Sequence, residues 1–137
     1  VSKMVIGLFS GGVDRLTGAG IIVSGAAAND MDVEIFVLLM GARSFKREIA
    51  AGQGELSESP HLKDEFTAAL DKHKVKKWTE FLREAKELTH VRIHICGLAG
   101  KLWGGEKIHD FVDLADDICG ISEYIYAAEE ADVHLFI

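Results

Sequence analysis

Apolar residues gather along this chain in four short runs: "KMVIGLF" at 3–9, "DVEIFVLL" at 32–39, "VRIHIC" at 91–96 and "DVHLFI" at 132–137. Each is rich in Val, Ile and Phe and has the length of a strand rather than a helix. Between them the period changes. Residues 14–29 predict a helix of small residues. Its "GAGIIVSGAAAN" is poor helix by propensity and makes sense where a helix lies close on a sheet. Residues 75–88 put Val75, Trp78, Phe81, Leu82, Ala85 and Leu88 on one helical face. A last helix is predicted over 121–130. Strands alternating with helices predict a parallel sheet with right-handed crossovers, and near-continuous apolar strands predict cover on both faces. The expectation is one α/β domain over 1–137. It has three layers, a mostly parallel sheet of four to five strands with helices on both faces, and flavodoxin/Rossmann-like topology.

The pattern weakens from 49 to 74. "AGQGELSESP" is loop-like and holds the chain's one proline. Ser59-Pro60 reads as a helix start, with Leu62, Phe66, Ala69 and Leu70 facing inward. The segment is expected to be a helical and loop excursion from the sheet. No internal repeat or low-complexity tract is present.

Composition narrows the function classes. A chain of 137 residues buries roughly two-thirds of its unfolded surface, enough for a core without staples. The net charge of −7 argues against nucleic acid and anionic membrane as partners. No run is long and apolar enough to span a bilayer, so no membrane insertion is expected. "MVIGLF" is too short for a signal-peptide core, which makes a cytoplasmic location the expectation. The two cysteines, Cys96 and Cys119, form no CxxC pair and no disulfide framework, and both are expected to be free thiols.

"LFSGGVDRLTGAG" follows the first strand and raises the question of phosphate binding. Its glycines at 11, 12, 18 and 20 miss the dinucleotide spacing, and no Gly-Lys-Ser/Thr follows. "SGGVD" resembles the phosphate loop of ATP pyrophosphatases, but Arg15 stands where that loop has a Ser. The favoured reading is a strand-to-helix turn running from Ser10, in which Gly11 and Gly12 give backbone freedom and Asp14 caps the helix.

The third strand carries the stronger chemistry. Alternation turns Val91, Ile93 and Ile95 to one face and Arg92, His94 and Cys96 to the other. Cys96 ends the strand, where open α/β sheets collect ligands. A following short helix would favour thiolate, and Gly97 and Gly100 would leave room for a reagent. A reactive thiol and a small buried hydrophobe both fit Cys96. His94 reads as an interior or interface histidine rather than a base. Lys101 would add positive charge, although a solvated lysine is the favoured reading. Cys119, before Gly120 at the entry to the last helix, is a candidate second thiol, with a structural role favoured. Trp78 and Trp103 read as core or interface. The six histidines are scattered, and His90 and His94 flank and occupy a strand, so no metal site is expected.

"VIGLFSGGVDRLTGAGIIVSGAAANDMDVEIFVLLMGARSFKRE", "VRIHICGLAG" and "CGISEYIYAAEEADVHLFI" together resemble the DsrE/DsrF-like family, in its peroxiredoxin-like branch. The resemblance covers roughly four-fifths of the chain. It implies a homo-oligomer, a trimer or a multiple of it, that carries sulfur on Cys96 as persulfide or thiosulfonate. The sulfur would come from a small sulfur donor and pass to a TusA-like carrier or a heterodisulfide-reductase-like complex. The protein would be a sulfurtransferase-like carrier rather than an independent turnover enzyme, with no cofactor. Asp14 matches a family position without a chemical role. The charged stretch from Arg43 to Glu48 and the 49–74 excursion depart from the branch. The alternatives are an assembly or binding subunit of the same fold and, third, a nucleotide-binding enzyme using the SGGVD turn.

Overall fold

The computed structural model describes residues Val1–Ile137 as one α/β unit. Five strands, β1 (Lys3–Leu8), β2 (Asp32–Val37), β3 (Val91–Cys96), β4 (Asp117–Cys119) and β5 (Val133–Phe136), form one sheet. All pairings are parallel, in the order β4-β3-β2-β1-β5. The helices are α1 (Val13–Ala28), α2 (Leu39–Ser44), α3 (Arg47–Ala50), α4 (Lys63–Lys72), α5 (Trp78–Leu88), α6 (Gly97–Leu102) and α7 (Ile121–Glu129).

The strand order explains the layers. The path from β1 through β2 and β3 to β4 steps always the same way, so right-handed crossovers keep α1 and α5 on one face. The chain then jumps back past β1 to reach β5, and α7 falls on the opposite face. The first face holds the main core. Met4, Ile6 and Leu8, Val33, Ile35 and Val37, and Val91, Ile93 and Ile95 pack against Leu16, Val23 and Ala26 of α1 and Trp78, Leu82 and Ala85 of α5. The small residues of α1 let it lie close to α5. Trp78 meets Phe45 at a tilt, 5.0 Å between ring centroids. The second face is covered by α7 alone, through a small cluster of Val5, Phe36, Tyr124 and Ala127. That leaves a polar strip across β2, β3 and β4 on this face.

Several elements differ from the sequence expectations. β4 is a strand of three residues, too short to register as a run, and it fixes Cys119 on the sheet rather than at the start of the last helix. α5 begins at Trp78, so Val75 stays outside it, and Leu88 is exposed at its end. Residues 38–39 leave the second strand, and Leu39 opens α2 with φ 36°. In the excursion, Phe66 and Leu70 are half-buried above α1, while Leu62 and Ala69 face solvent. A ten-residue helix laid on another helix's end has too little partner surface to bury a full stripe.

Candidate functional site

The parallel register sets two residue pairs side by side at the end of the sheet. His94 pairs with Asp117 and Cys96 with Cys119 across β3 and β4. β4 is held there by Asp116, whose Oδ2 accepts from the backbone N–H of Ile93 at 2.7 Å and from Lys86 Nζ of α5 at 2.6 Å. A carboxylate between two donors fixes an edge strand that its three residues alone would not.

His94 is buried and held on both sides. Its Nδ1 lies 2.6 Å from Asp117 Oδ1 and its Nε2 2.9 Å from Glu34 Oε1. The ring also stacks on Phe36, 4.6 Å between centroids. Glu34 meets Lys3 as well, at 2.5 Å, and Arg92 reaches Asp117 Oδ2 at 3.1 Å. Burial works to raise the Glu34 pKa, yet hydrogen bonds from Lys3 and His94 outweigh it and hold the carboxylate below its usual range. A cavity of about 500 Å³ between the sheet and α7 opens onto this group, lined by Lys3, Glu34, His94, Ser122, Glu123 and Tyr126.

The two thiols occupy different environments. Both are half-buried; Cys96 ends β3, forms the N-cap of the six-residue α6, and packs against the edge of the main core. Cys119 packs against the small core. Burial pushes its thiol up to about 12, helped by a hydrogen bond to Glu123 and by the charges of Glu123 and Asp117.

Among the supporting residues, Gly100 has a different role from the one expected. Gly100 does not open space for a reagent. A Cβ there would lie 2.6 Å from the carbonyl oxygen of Gly105, so the glycine admits a backbone crossing, and Gly100 itself is buried. At Gly97 a Cβ would meet only ordinary contacts at 3.6 Å. Lys101 is exposed on α6.

Asp14 is not a helix cap. Gly12 holds that position without a side-chain bond, and Asp14 instead accepts from the backbone N–H of Ser57 at 2.7 Å and of Glu58 at 3.2 Å. The Val13 N–H donates to the Glu55 carbonyl at 2.7 Å, and Arg15 pairs with Glu58. The excursion is thus clasped onto the start of α1. Gly11 and Gly12 have negative φ. Their lack of a side chain serves close approach, because a Cβ would overlap the Met40 carbonyl at Gly11 and Ser57 at Gly12. Ser10, Gly11 and Gly12 line a cavity of about 580 Å³ with Met40, Arg43 and Ser57.

Sequence reasoning missed Glu34, Asp117 and Glu123, and expected no metal-binding group. The structure brings donor atoms of His94, Asp117 and Cys119 within 4.8 Å of one another, a spacing that could hold a metal ion. The signal available was the polar alternation in two adjacent strands, Glu34 in one and Arg92 and His94 in the other. The "DIC" triplet was too short to carry any. No helix is long and apolar enough to cross a membrane.

No protein-family model matches this chain. It is 29% identical to the uncharacterized protein YrkE of Bacillus subtilis (strain 168) over 159 aligned residues, covering 98% of this chain and 96% of that protein. The likeness extends from end to end, and the relative's name carries no activity.

Proposed function

We propose that this protein is a sulfur carrier that holds sulfane sulfur on Cys96 and hands it to a partner protein. The single observation that supports the reading most is the asymmetry of its two thiols. Both thiols are half-buried, but Cys96 caps α6 where β3 ends, while burial and the neighbouring Glu123 push its register partner Cys119 up to about 12. The resemblance to the DsrE/DsrF-like family supports the same cysteine.

The chemistry balances without a cofactor. The Cys96 thiolate attacks the sulfane sulfur of a small persulfide donor, giving Cys96–S–SH and releasing the donor thiolate. With tetrathionate, attack gives the Cys96 thiosulfonate adduct and releases thiosulfate. Unloading is the reverse exchange: an acceptor thiolate takes the outer sulfur and Cys96 leaves as thiolate. Cys119 could waste the cargo by attacking Cys96, closing a disulfide and expelling hydrosulfide. Strand spacing puts the two Cα atoms about 4.8 Å apart, within disulfide reach. Burial and the charges of Glu123 and Asp117 hold the Cys119 thiol protonated, which suppresses that loss.

The acceptor is a partner of the TusA-like or heterodisulfide-reductase-like class, and the working form is a homo-oligomer, a trimer or a multiple of it. Support for self-assembly comes from the outer edge of β5, where Val133 and Phe136 are exposed beside Phe9.

The test is intact mass after incubation with tetrathionate or polysulfide. A reducible sulfur adduct is expected on the native protein and on Cys119→Ser, and none on Cys96→Ser. No adduct with either donor, together with a Cys96 inert to alkylation, overturns the proposal and leaves an assembly subunit of the same fold.

A further inference from the structure

The array beside the proposed sulfur site has a second chemistry that the carrier reading does not use. Donor atoms of His94, Asp117 and Cys119 come from two adjacent strands and converge within 4.8 Å, with His94 Nδ1 2.6 Å from Asp117 Oδ1. Three donors of mixed nitrogen, oxygen and sulfur character suit a borderline-soft divalent ion rather than magnesium or calcium. In a tetrahedral zinc site, donors stand about 3.5 Å apart. No pair here needs to close by more than about 1.3 Å, while His94 and Asp117, at 2.6 Å, need to open slightly.

A second observation points the same way. Glu34 Oε1 faces the other nitrogen of the same ring at 2.9 Å. A carboxylate behind a histidine takes its second N–H, fixes the tautomer and turns the remaining lone pair toward a metal. With Nε2–H given to Glu34, Nδ1 presents a lone pair to a carboxylate oxygen, an arrangement that needs a proton or a cation between the two.

The charge around the group favours a cation. Glu34, Asp117 and Glu123 face it, against Lys3 on Glu34 and Arg92 on Asp117. The cavity beneath α7 reaches His94 from the Glu34 side.

We infer that His94, Asp117 and Cys119 form a three-ligand site for a zinc-class divalent cation, with Glu34 as the carboxylate that orients His94 and the fourth position open to water. Binding displaces the Cys119 proton to solvent and makes its sulfur a ligand. Cys96 lies outside the ligand set and stays available. The inference stands on its own geometry and does not depend on sulfur transfer.

The experiment uses the full chain, reduced and stripped with a chelator, titrated with cobalt(II) and then zinc(II). One cobalt per chain is expected, with the visible bands of a four-coordinate ion and a thiolate-to-cobalt charge-transfer band that zinc bleaches. Cys119→Ser loses the charge-transfer band, and Glu34→Gln weakens binding by about 10- to 100-fold. Cys96→Ser leaves both unchanged. Circular dichroism melts establish that each variant is folded. Zinc protection of Cys119 from alkylation in the native chain gives a reading free of any mutation. Absence of saturable binding, a charge-transfer band that survives Cys119→Ser, or its loss in Cys96→Ser instead, each overturns the site. The sulfur adduct is measured on metal-free protein, so a failed carrier with intact cobalt binding refutes only the carrier.

Discussion

Cys119 holds its proton because burial removes water from the sulfur and the charges of Glu123 and Asp117 oppose a second negative charge. Two outcomes follow at this scale. In Cys96→Ser, alkylation of Cys119 rises about tenfold per pH unit up to its pKa, instead of levelling near pH 9 as an ordinary thiol does; mass-resolved rates across pH 7–11 measure this. An acid whose folded pKa is raised makes the folded state bind the extra proton, so stability declines as pH rises above the unfolded thiol's value, near 9, toward 12. Urea midpoints falling over pH 9–11, and flatter in Cys119→Ser, meet that expectation. Glu34 has the opposite sign. Lys3 and His94 depress its pKa against the pull of burial, so its contribution is complete above the ordinary value near 4.5 and is lost as pH falls below it. Glu34→Gln makes the acid limb of the stability curve shallower below about pH 4.5. Asp113, depressed by its hydrogen bond from Arg83, acts in a nearby window.

At the scale of elements, two glycines of one short helix carry different constraints. α6 passes under the Gly104–Gly105 turn, with Gly105 N–H donating to the Gly100 carbonyl at 2.8 Å. Gly100→Ala drives a methyl against a backbone oxygen that has no rotamer to yield, and costs about 1–3 kcal/mol. Gly97→Ala adds only ordinary contacts and stays within about 0.5 kcal/mol. Chemical denaturation of the two variants separates a packing role from a site role. β4 illustrates the same dependence on surroundings. Its three residues lie in register because Asp116 ties them to β3 and α5, and both Asp117 and Cys119 follow from that tie.

At the scale of the molecule, the reversal of strand order between β4 and β5 gives the sheet one well-covered face and one covered by a single nine-residue helix. The polar array lies on the second face because only there is backbone and side-chain polarity left within reach of solvent. The same reversal leaves β5 as an open edge with Phe136, 62% exposed, beside it. If the proposed oligomer uses this edge, Val133→Lys shifts sedimentation toward monomer while the far-ultraviolet circular dichroism is kept. A monomer at micromolar concentration for the native chain speaks against assembly altogether.

Much of the architecture was legible in the pattern of residues. Alternating strands and helices required a parallel sheet, and the small residues of α1 and the apolar stripe of α5 pointed to helices packed on it, since periodic apolar faces are a local property that the sequence states directly. The alternation in "VRIHIC" likewise put Arg92, His94 and Cys96 on one face. The site was legible only in part. A single cysteine at a strand end can be read from its own segment. The partners of His94 cannot, because Glu34 is 60 residues away and Asp117 is 23. Asp14 looked like a cap because its local sequence offered nothing else to bind; the loop that takes its carboxylate returns 43 residues later. Sequence determined the strands other than β4, their order along the chain and the apolar face of α5, though not that Leu62, Ala69, Val75 and Leu88 are exposed. Tertiary structure alone decided which polar groups meet, since that depends on strand order and register, and these are set by the summed packing of the whole sheet rather than by any one segment.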